Sequence, residues 1–370
     1  MIIQPHAQAI EPPPAPPATA RIQLSGVPDD RELLRLAAEL TRDLQRPDPR
    51  IYWCDFLGSA ALGYAALGGA IMAHRAAVAV PCGVVAVLAL YRATLFIHEI
   101  THLNPARLPG FRVAWNLLLG IPTMLPSFMY EGIHTIHHSR TRYGTAGDPE
   151  YLPLALMRPW TLPLFLLLSL LMPGLLLLRF GVVGPLSLLS HRLRRIVIGR
   201  FSGLQINPRF VRHRPGGAFA RQWRWQELGA SAVAMAIIVA LASGLLPPRS
   251  FLIATGVLAG VALLNQLRTL VAHLWENDGA PLTVTAQFLD STNVPGGVLT
   301  GLWAPVGLRF HALHHLLPSL PYHALAEAHR RISAAVSDGS VYADANHASL
   351  AGLLRRLAAS TMGQRAGRLP

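Results

Sequence analysis

The chain alternates between long apolar runs and short polar connections. Residues 56–73, 228–248 and 250–267 carry no charge, and the run 76–97 contains only Arg92. Each run has close to the length of about 20 apolar residues that a helix needs to cross a membrane. Very short connections join the runs in two pairs. The pattern therefore predicts four spanning helices arranged in two hairpins.

The apolar run 159–190 has a less obvious place. It exceeds one span but is too short for two spans with a turn at Met172-Pro173-Gly174. The next segment, 191–224, holds nine arginines, whereas the hairpin turns hold one each. The positive-inside rule places the arginine-rich segment in the cytoplasm. We expect 159–190 to be re-entrant or interfacial, because a full crossing would separate the histidines before it from those after it.

The regions outside the apolar runs complete the domain organisation. Residues 1–28 are rich in proline and are predicted to be a disordered tail. Leucines at helical spacing predict a cytosolic amphipathic helix within residues 29–50. Residues 51–335 form the predicted membrane domain, and 336–370 a C-terminal cytosolic segment. The N-terminus lacks the basic start and apolar core of a signal peptide.

Composition supports a membrane protein and excludes several other classes. The chain is 52% hydrophobic and 14% charged, which is unusually apolar for a soluble domain. Its net charge is +13, but the basic residues are all arginines placed beside apolar runs. Orientation in a membrane explains them, so no nucleic-acid partner is predicted. The two cysteines form no CxxC pair, which argues against a disulfide framework or a thiolate metal site.

Histidines supply the candidate chemistry. Eight of the 16 histidines fall in three five-residue windows, at 98–102, 134–138 and 311–315, and a ninth follows the last apolar run. Positions i, i+3 and i+4 share a helix face, so the first window offers two rings to one point and the others three each. Nine ring nitrogens suit two metal ions with four or five ligands each. The candidate ligands are His98, His102, His134, His137, His138, His273, His311, His314 and His315.

The first window also suggests an alternative. "HEITH" matches the H-E-x-x-H pattern of zinc metalloproteases, in which Glu99 would activate water. A zinc protease needs two histidines, a third ligand and a water, and has no use for two further histidine clusters. We therefore interpret Glu99 as an acceptor for the free ring N–H of a ligating histidine, and keep an intramembrane zinc metalloprotease as the alternative. A transporter would need polar residues within the spans, which nearly lack them.

The order HxxxH, HxxHH, HxxHH resembles the membrane fatty acid desaturase family. The resemblance covers roughly residues 50–335 and rests on "HEITH", "HTIHHSRTRYGTAGDPEY" and "WAPVGLRFHALHHLLPSLPYHAL". It implies an all-α integral membrane bundle with a cytosolic histidine-rich di-metal cap. It also implies two iron ions held by the nine histidines, with O2 as co-substrate. We expect the protein in a bacterial inner membrane, with the site on the cytoplasmic side.

The resemblance also suggests supporting residues and a partner. In acyl-CoA desaturases an asparagine one turn before the additional histidine reaches iron through water. Thr269 occupies that position here, and Asn265, one turn further back, is the candidate substitute. Asp148 and Glu150 in "GDPEY" are expected to brace the second window, with an ordinary loop turn as the alternative. The "HRPGG" at 213–217 departs from the HPGG of fused cytochrome b5 domains, so a separate electron donor, ferredoxin or similar, is expected.

The implied activity is oxygen-dependent desaturation of a fatty acyl chain. No side chain is basic enough to deprotonate an alkane, so bound metals must supply the chemistry. An alternative is that the same site hydroxylates or ketolates a carotenoid, sterol or alkane. Nothing in the three windows separates these reactions. The substrate is expected to be a lipid or acyl chain in either case.

Overall fold

The computed structural model describes residues 23–337 and 339–366, and within these the fold is helical, with three isolated β-bridges and no strand. Residues 1–22 of the predicted tail lie outside the described residues. The longer helices and those near the histidines are α1 (Arg31–Leu40), α2 (Pro49–Met72), α3 (Ala76–His102), α4 (Phe111–Trp115), α5 (His134–His137), α6 (Thr161–Ser187), α7 (His191–Arg200), α8 (Gly217–Ala242), α9 (Pro248–Leu270), α10 (Val284–Asp290), α11 (Val298–Trp303), α12 (His311–Leu316), α13 (Leu325–Ala335) and α14 (Leu350–Ala366). Shorter turns lie at Leu24–Gly26, Arg42–Leu44, Asn116–Gly120, Ser127–Met129, Leu154–Leu156 and Tyr322–Ala324.

Five helices, rather than the four predicted, are long and apolar enough to cross a membrane: α2, α3, α6, α8 and α9. The additional one is α6, which continues as a helix through Pro173 rather than turning there. Pro173 follows the 3₁₀ segment Leu168–Leu171 and lies in the first turn of the next α segment. A proline costs little there because its missing N–H would have no helical partner. The predicted all-α membrane bundle is confirmed, and the number of candidate spans is corrected.

The two predicted helix pairs pack differently. α2 and α3 lie along each other as a hairpin, and α9 packs against both. Glycines permit these close contacts: a Cβ on Gly63 would lie 2.7 Å from Leu90, and one on Gly260 2.8 Å from Val87. α8 does not pack along α9. It contacts the C-terminal part of α6, while the earlier parts of α6 contact α9. α6 thus lies between α8 and α9, the two helices of the second predicted hairpin.

Both halves of α6 contact the end of the bundle that carries the histidines. Phe165 packs on Trp275 just beyond α9, with ring centroids 6.4 Å apart. Arg179 forms a 2.6 Å ion pair with Glu227, in the first part of α8. Residues before α6 and after α9 both contribute to one histidine cluster, so both lie at the same end of the bundle. The expectation that 159–190 is re-entrant or interfacial stays a prediction, and α6 is long and apolar enough to cross a membrane.

The remaining helices form a cap over this end. Asp30 caps α1 by accepting from the backbone N–H of Leu33 at 2.9 Å, and α1 packs on α13. α10 packs against α12, and α14 contacts the turn Leu154–Leu156. Apolar residues of these segments form one buried cluster around Trp275, Phe288 and Leu313. These short helices would not be stable in isolation. Packing within the cap keeps them in fixed positions around the histidines.

Candidate metal centre

The three histidine windows are all helical and belong to three different helices. His98 and His102 lie in the last turns of α3, where the N–H of Leu103 bonds to the carbonyl of Glu99 at 2.9 Å. The second window forms the short helix α5, and the third forms α12. His273 lies beyond α9, in a β-bridge with Ser291. Four segments distant in sequence therefore supply the rings.

The structure brings all nine predicted histidines together in two groups. Within each group, one nitrogen from every ring lies within 4.8 Å of the others. The five-histidine group comprises His98, His102, His134, His138 and His314. The four-histidine group comprises His137, His273, His311 and His315. His138 and His315, one from each group, stack with ring centroids 4.3 Å apart, so the groups are adjacent.

The expectation that each HxxHH window would direct three rings to one point is wrong. His134 and His138 belong to the five-histidine group, but His137 belongs to the other. Likewise His311 and His315 share one group, whereas His314 joins the other. On a helix the i+3 and i+4 side chains are about 100° apart. Because the two groups lie side by side, each window faces the boundary between them and contributes to both.

The separations between ring nitrogens fit bound metal ions. The Nε2 atoms of His134 and His138 are 3.0 Å apart, and those of His273 and His311 are 3.1 Å apart. Two imidazole nitrogens about 2.1 Å from one transition metal are separated by about 3.0–3.4 Å at common coordination angles. The Nε2 of His98 is buried without a hydrogen-bond partner among the described residues. Unpaired, converging ring nitrogens are what a metal site requires.

Burial keeps most of these rings in the form that binds metal. Burial, followed by the neighbouring rings, lowers the pKa of each of six histidines well below its usual value: His134, His138, His273, His311, His314 and His315. Burial also lowers the pKa of His137, but the nearby Asp148 outweighs it and the net pKa is raised. Metal ligation requires neutral imidazole. Six rings are therefore neutral near pH 7 before any ion binds.

Carboxylates orient two of the rings. His137 Nδ1 lies 2.9 Å from Asp148 Oδ2, and His134 Nδ1 lies 3.0 Å from Glu150 Oε2. Such contacts fix the tautomer and direct the other ring nitrogen to the metal. Asp148 also accepts from the backbone N–H groups of Gly144 and Glu150, each at 2.8 Å, so it stabilises the loop turn as well. Burial raises the pKa of Glu150 to about 7.

Glu99 lies behind the five-histidine group with both oxygens engaged. One oxygen is 3.4 Å from His98 Nδ1. The other accepts from the Tyr52 hydroxyl and, at 3.2 Å, from the backbone N–H of Tyr322. A general base needs a free oxygen facing a water. These contacts favour the orienting role over the metalloprotease role.

A third network, which the sequence did not indicate, supports His273. Its Nδ1 lies 2.9 Å from the Tyr143 hydroxyl and 3.1 Å from the Ser291 hydroxyl. Tyr143 and Tyr151 both donate to Asp290, at 2.9 and 2.7 Å. Burial raises the pKa of Asp290 to about 7. Tyr143 and Tyr151 lie in the stretch "HTIHHSRTRYGTAGDPEY", so their closeness to the second histidine window is a sequence signal. Asp290 has no such local signal.

Some buried rings and one predicted residue lack such contacts. The Nδ1 atoms of His311 and His315 have no hydrogen-bond partner among the described residues. The side-chain oxygen of Asn265 accepts from Arg268 at 3.3 Å, and it makes no hydrogen bond to any of the nine histidines. Asn265 therefore contacts the neighbouring turn of α9 rather than the rings.

Comparison with known proteins gives two matches. The profile of the family described as "Fatty acid desaturase" matches residues 73–345, a range that contains all nine histidines. A ceramide hydroxylase of Caulobacter vibrioides (strain NA1000 / CB15N) is 45% identical over 322 residues, which cover 87% of this chain and 92% of that protein. No solved structure matches the chain.

Proposed function

Because this chain belongs to the fatty acid desaturase family, we propose that it is an oxygen-dependent di-iron membrane enzyme that hydroxylates a lipid of the ceramide class. The observation that carries the reaction type is the pair of buried histidine groups at the end of an apolar helical bundle. The similarity to a ceramide hydroxylase over most of the chain favours hydroxylation over desaturation. Desaturation of a fatty acyl chain is the second candidate, supported by the family description.

The proposed ligands are the nine histidines. A mainly imidazole shell suits iron, and also zinc and copper, so iron rests on the family. Five ligands in one group and four in the other leave coordination positions open for oxygen. When bound, the two irons would activate O2 for attack on an unactivated C–H bond.

The chain's own contribution is orientation and exclusion of water. Asp148, Glu150 and Tyr143 hold three rings through their Nδ1 atoms. Seven of the nine histidines are less than about a tenth exposed, which shields the centre from bulk water. The apolar helices of the bundle also suit a lipid chain, whose methylenes gain nothing from polar contacts. We propose Glu99 and Asp148 as ligand-orienting residues.

We further propose a bacterial inner-membrane location, with the histidine end facing the cytoplasm and a separate one-electron donor such as ferredoxin. The arginine-rich segment 191–224 supports both proposals, because arginines favour the cytoplasmic side and attract acidic redox proteins. Turnover with a reduced ferredoxin should fall as salt rises. Equal rates at low and high salt would contradict electrostatic docking of the donor.

Product analysis tests the reaction. The full chain would be expressed in a bacterial host without sphingolipids, supplied with a saturated ceramide and ¹⁸O₂, and its lipids examined by mass spectrometry. Hydroxylation adds one labelled oxygen, whereas desaturation removes two hydrogens and leaves no label. His315→Ala should yield neither product, and His213→Ala, an exposed histidine outside both groups, should retain activity. Unlabelled, unsaturated ceramide as the sole product would favour the second candidate.

A further inference from the structure

A cavity of about 400 Å³ lies behind the last turn of α3, away from the metal centre. It is bordered by Ile100 of this turn, by Leu103 directly after it, by α4 and by the start of α8. Ile100 is two residues from both His98 and His102, which places it about 200° around the helix from them. The cavity therefore lies on the reverse face of the segment that carries these ligands, and is within the size range of small-molecule sites.

The walls of the cavity are apolar and its opening lies on an apolar outer surface. Leu108 and Phe111 are buried in its inner wall. Val113 and Trp225, at its outer side, are 50% and 37% exposed. In a membrane bundle, such exposed apolar side chains face lipid, and tryptophan favours the interface with water. The surroundings suit a ligand with an acyl chain.

Two arginines give the cavity a positive charge. Arg112 and Arg221 line it, and none of its lining residues in the described ranges is acidic. Arg112 is partly neutralised, because its Nε lies 3.4 Å from Glu131 Oε2 and its Nη1 donates to Gln222 at 3.2 Å. Arg221 is exposed and makes no hydrogen bond or ion pair with the described residues. One guanidinium is thus available to an anion.

We propose that this cavity binds one anionic phospholipid, with its phosphate at Arg221 and Arg112 and an acyl chain along Val113 and Trp225. A guanidinium pairs with phosphate oxygens in a bidentate geometry. Basic pockets between membrane helices bind anionic lipid head groups in this way. A free phosphate would bind the arginines but would not contact the apolar walls. A neutral lipid would contact the walls but would not pair with the arginines.

The bound lipid would brace two segments of the metal centre. Ile100 and Leu103 flank His102, and Gln222 donates to Glu131 at 2.9 Å, three residues before His134. A ligand that binds only the folded protein raises its melting temperature. Occupancy should therefore stabilise the fold around His102 and His134, independently of which reaction the centre catalyses.

The test is thermal unfolding of delipidated full-length protein in neutral detergent. Phosphatidylglycerol should raise Tm by roughly 3 °C at about tenfold excess over its Kd, and phosphatidylcholine of the same chains should not. Arg221→Gln should weaken phosphatidylglycerol binding about fivefold, and Arg221→Glu more. Arg224→Glu, an exposed arginine of α8 outside the cavity, is the matched control and should retain the full shift.

Native mass spectrometry provides a second readout that does not depend on Tm. Wild type and Arg224→Glu should each carry one tightly bound phosphatidylglycerol, and Arg221→Glu should lose it. An equal shift with inorganic phosphate alone would overturn the lipid assignment, as would an equal shift with phosphatidylcholine or ceramide. Equal losses of bound phosphatidylglycerol in Arg221→Glu and Arg224→Glu would show that binding depends on overall charge and that there is no site in this cavity.

Discussion

The five-histidine group and the four-histidine group are held by the chain in different ways. In the first, carboxylates contact two rings directly, Glu150 on His134 and Glu99 on His98. In the second, within the described part of the chain, only His137 meets a carboxylate, Asp148, and His273 reaches Asp290 through the Tyr143 hydroxyl. The four-histidine group also contains two buried rings whose Nδ1 has no partner among the residues that the structure describes. It has fewer ligands, and one carboxylate contact where the other group has two, so we expect it to hold its metal less tightly.

The largest expected effect comes from removing a ligand from either group. His138→Ala and His315→Ala should each abolish product, because a lost ligand changes both metal occupancy and the electrostatic field at the open positions. Elemental analysis should show iron falling from about two per chain toward one. His315→Ala should lose its metal more completely, since three ligands remain in that group and four in the other. Iron content and activity unchanged in either variant would remove that histidine from the ligand set.

Substituting Asp148, which contacts the four-histidine group, and Glu150, which contacts the five-histidine group, compares how each group is oriented. Asp148→Asn and Glu150→Gln should each lower activity about 10- to 100-fold, the usual cost of losing a residue that orients a metal ligand. The loss should be greater for Asp148→Asn, because Asp148 also holds the loop through Gly144. Iron titration of the two proteins checks this order. Equal metal affinity in both variants and wild type would show that neither carboxylate orients a ligand.

Glu99→Gln should have a smaller effect. Its contact with His98 is the longest of the carboxylate contacts, 3.4 Å, and glutamine keeps one carbonyl acceptor. We expect about tenfold loss of activity with reduced iron. A metalloprotease base would be indispensable, because only a carboxylate can take the proton from water. Full iron content with no detectable product would therefore contradict the orienting role.

Tyr143→Phe should have the smallest effect. The variant removes one contact to His273, but the Ser291 hydroxyl remains 3.1 Å from the same nitrogen. Activity should fall by at most about tenfold, and the double variant with Ser291→Ala should fall much further. The measurement is product formation in both proteins at matched iron loading. A single-variant loss as large as that of Asp148→Asn would show that Tyr143 contributes more than orientation.

Several features of this protein follow from local sequence alone. Uninterrupted apolar runs of about 20 residues predict spanning helices, because unpaired backbone groups cannot be left in lipid. The spacing of His98 and His102 puts both rings on one helix face wherever that helix lies. The order of the three windows indicates the family, which the profile match confirms. These properties depend on residues within a few turns of each other.

Only the tertiary structure decides how the rings are divided. His137 and His314 each join the group that the other two histidines of their window do not join, because the two groups lie side by side. No local pattern encodes the distance between α5 and α12. Asp290 supports His273 from 17 residues away through a tyrosine 130 residues distant from that histidine. α6 runs through Pro173 because packing against α9 and α8 favours a continuous helix over a turn. Helical periodicity sets which side chains share a face, but burial against remote segments sets what that face meets.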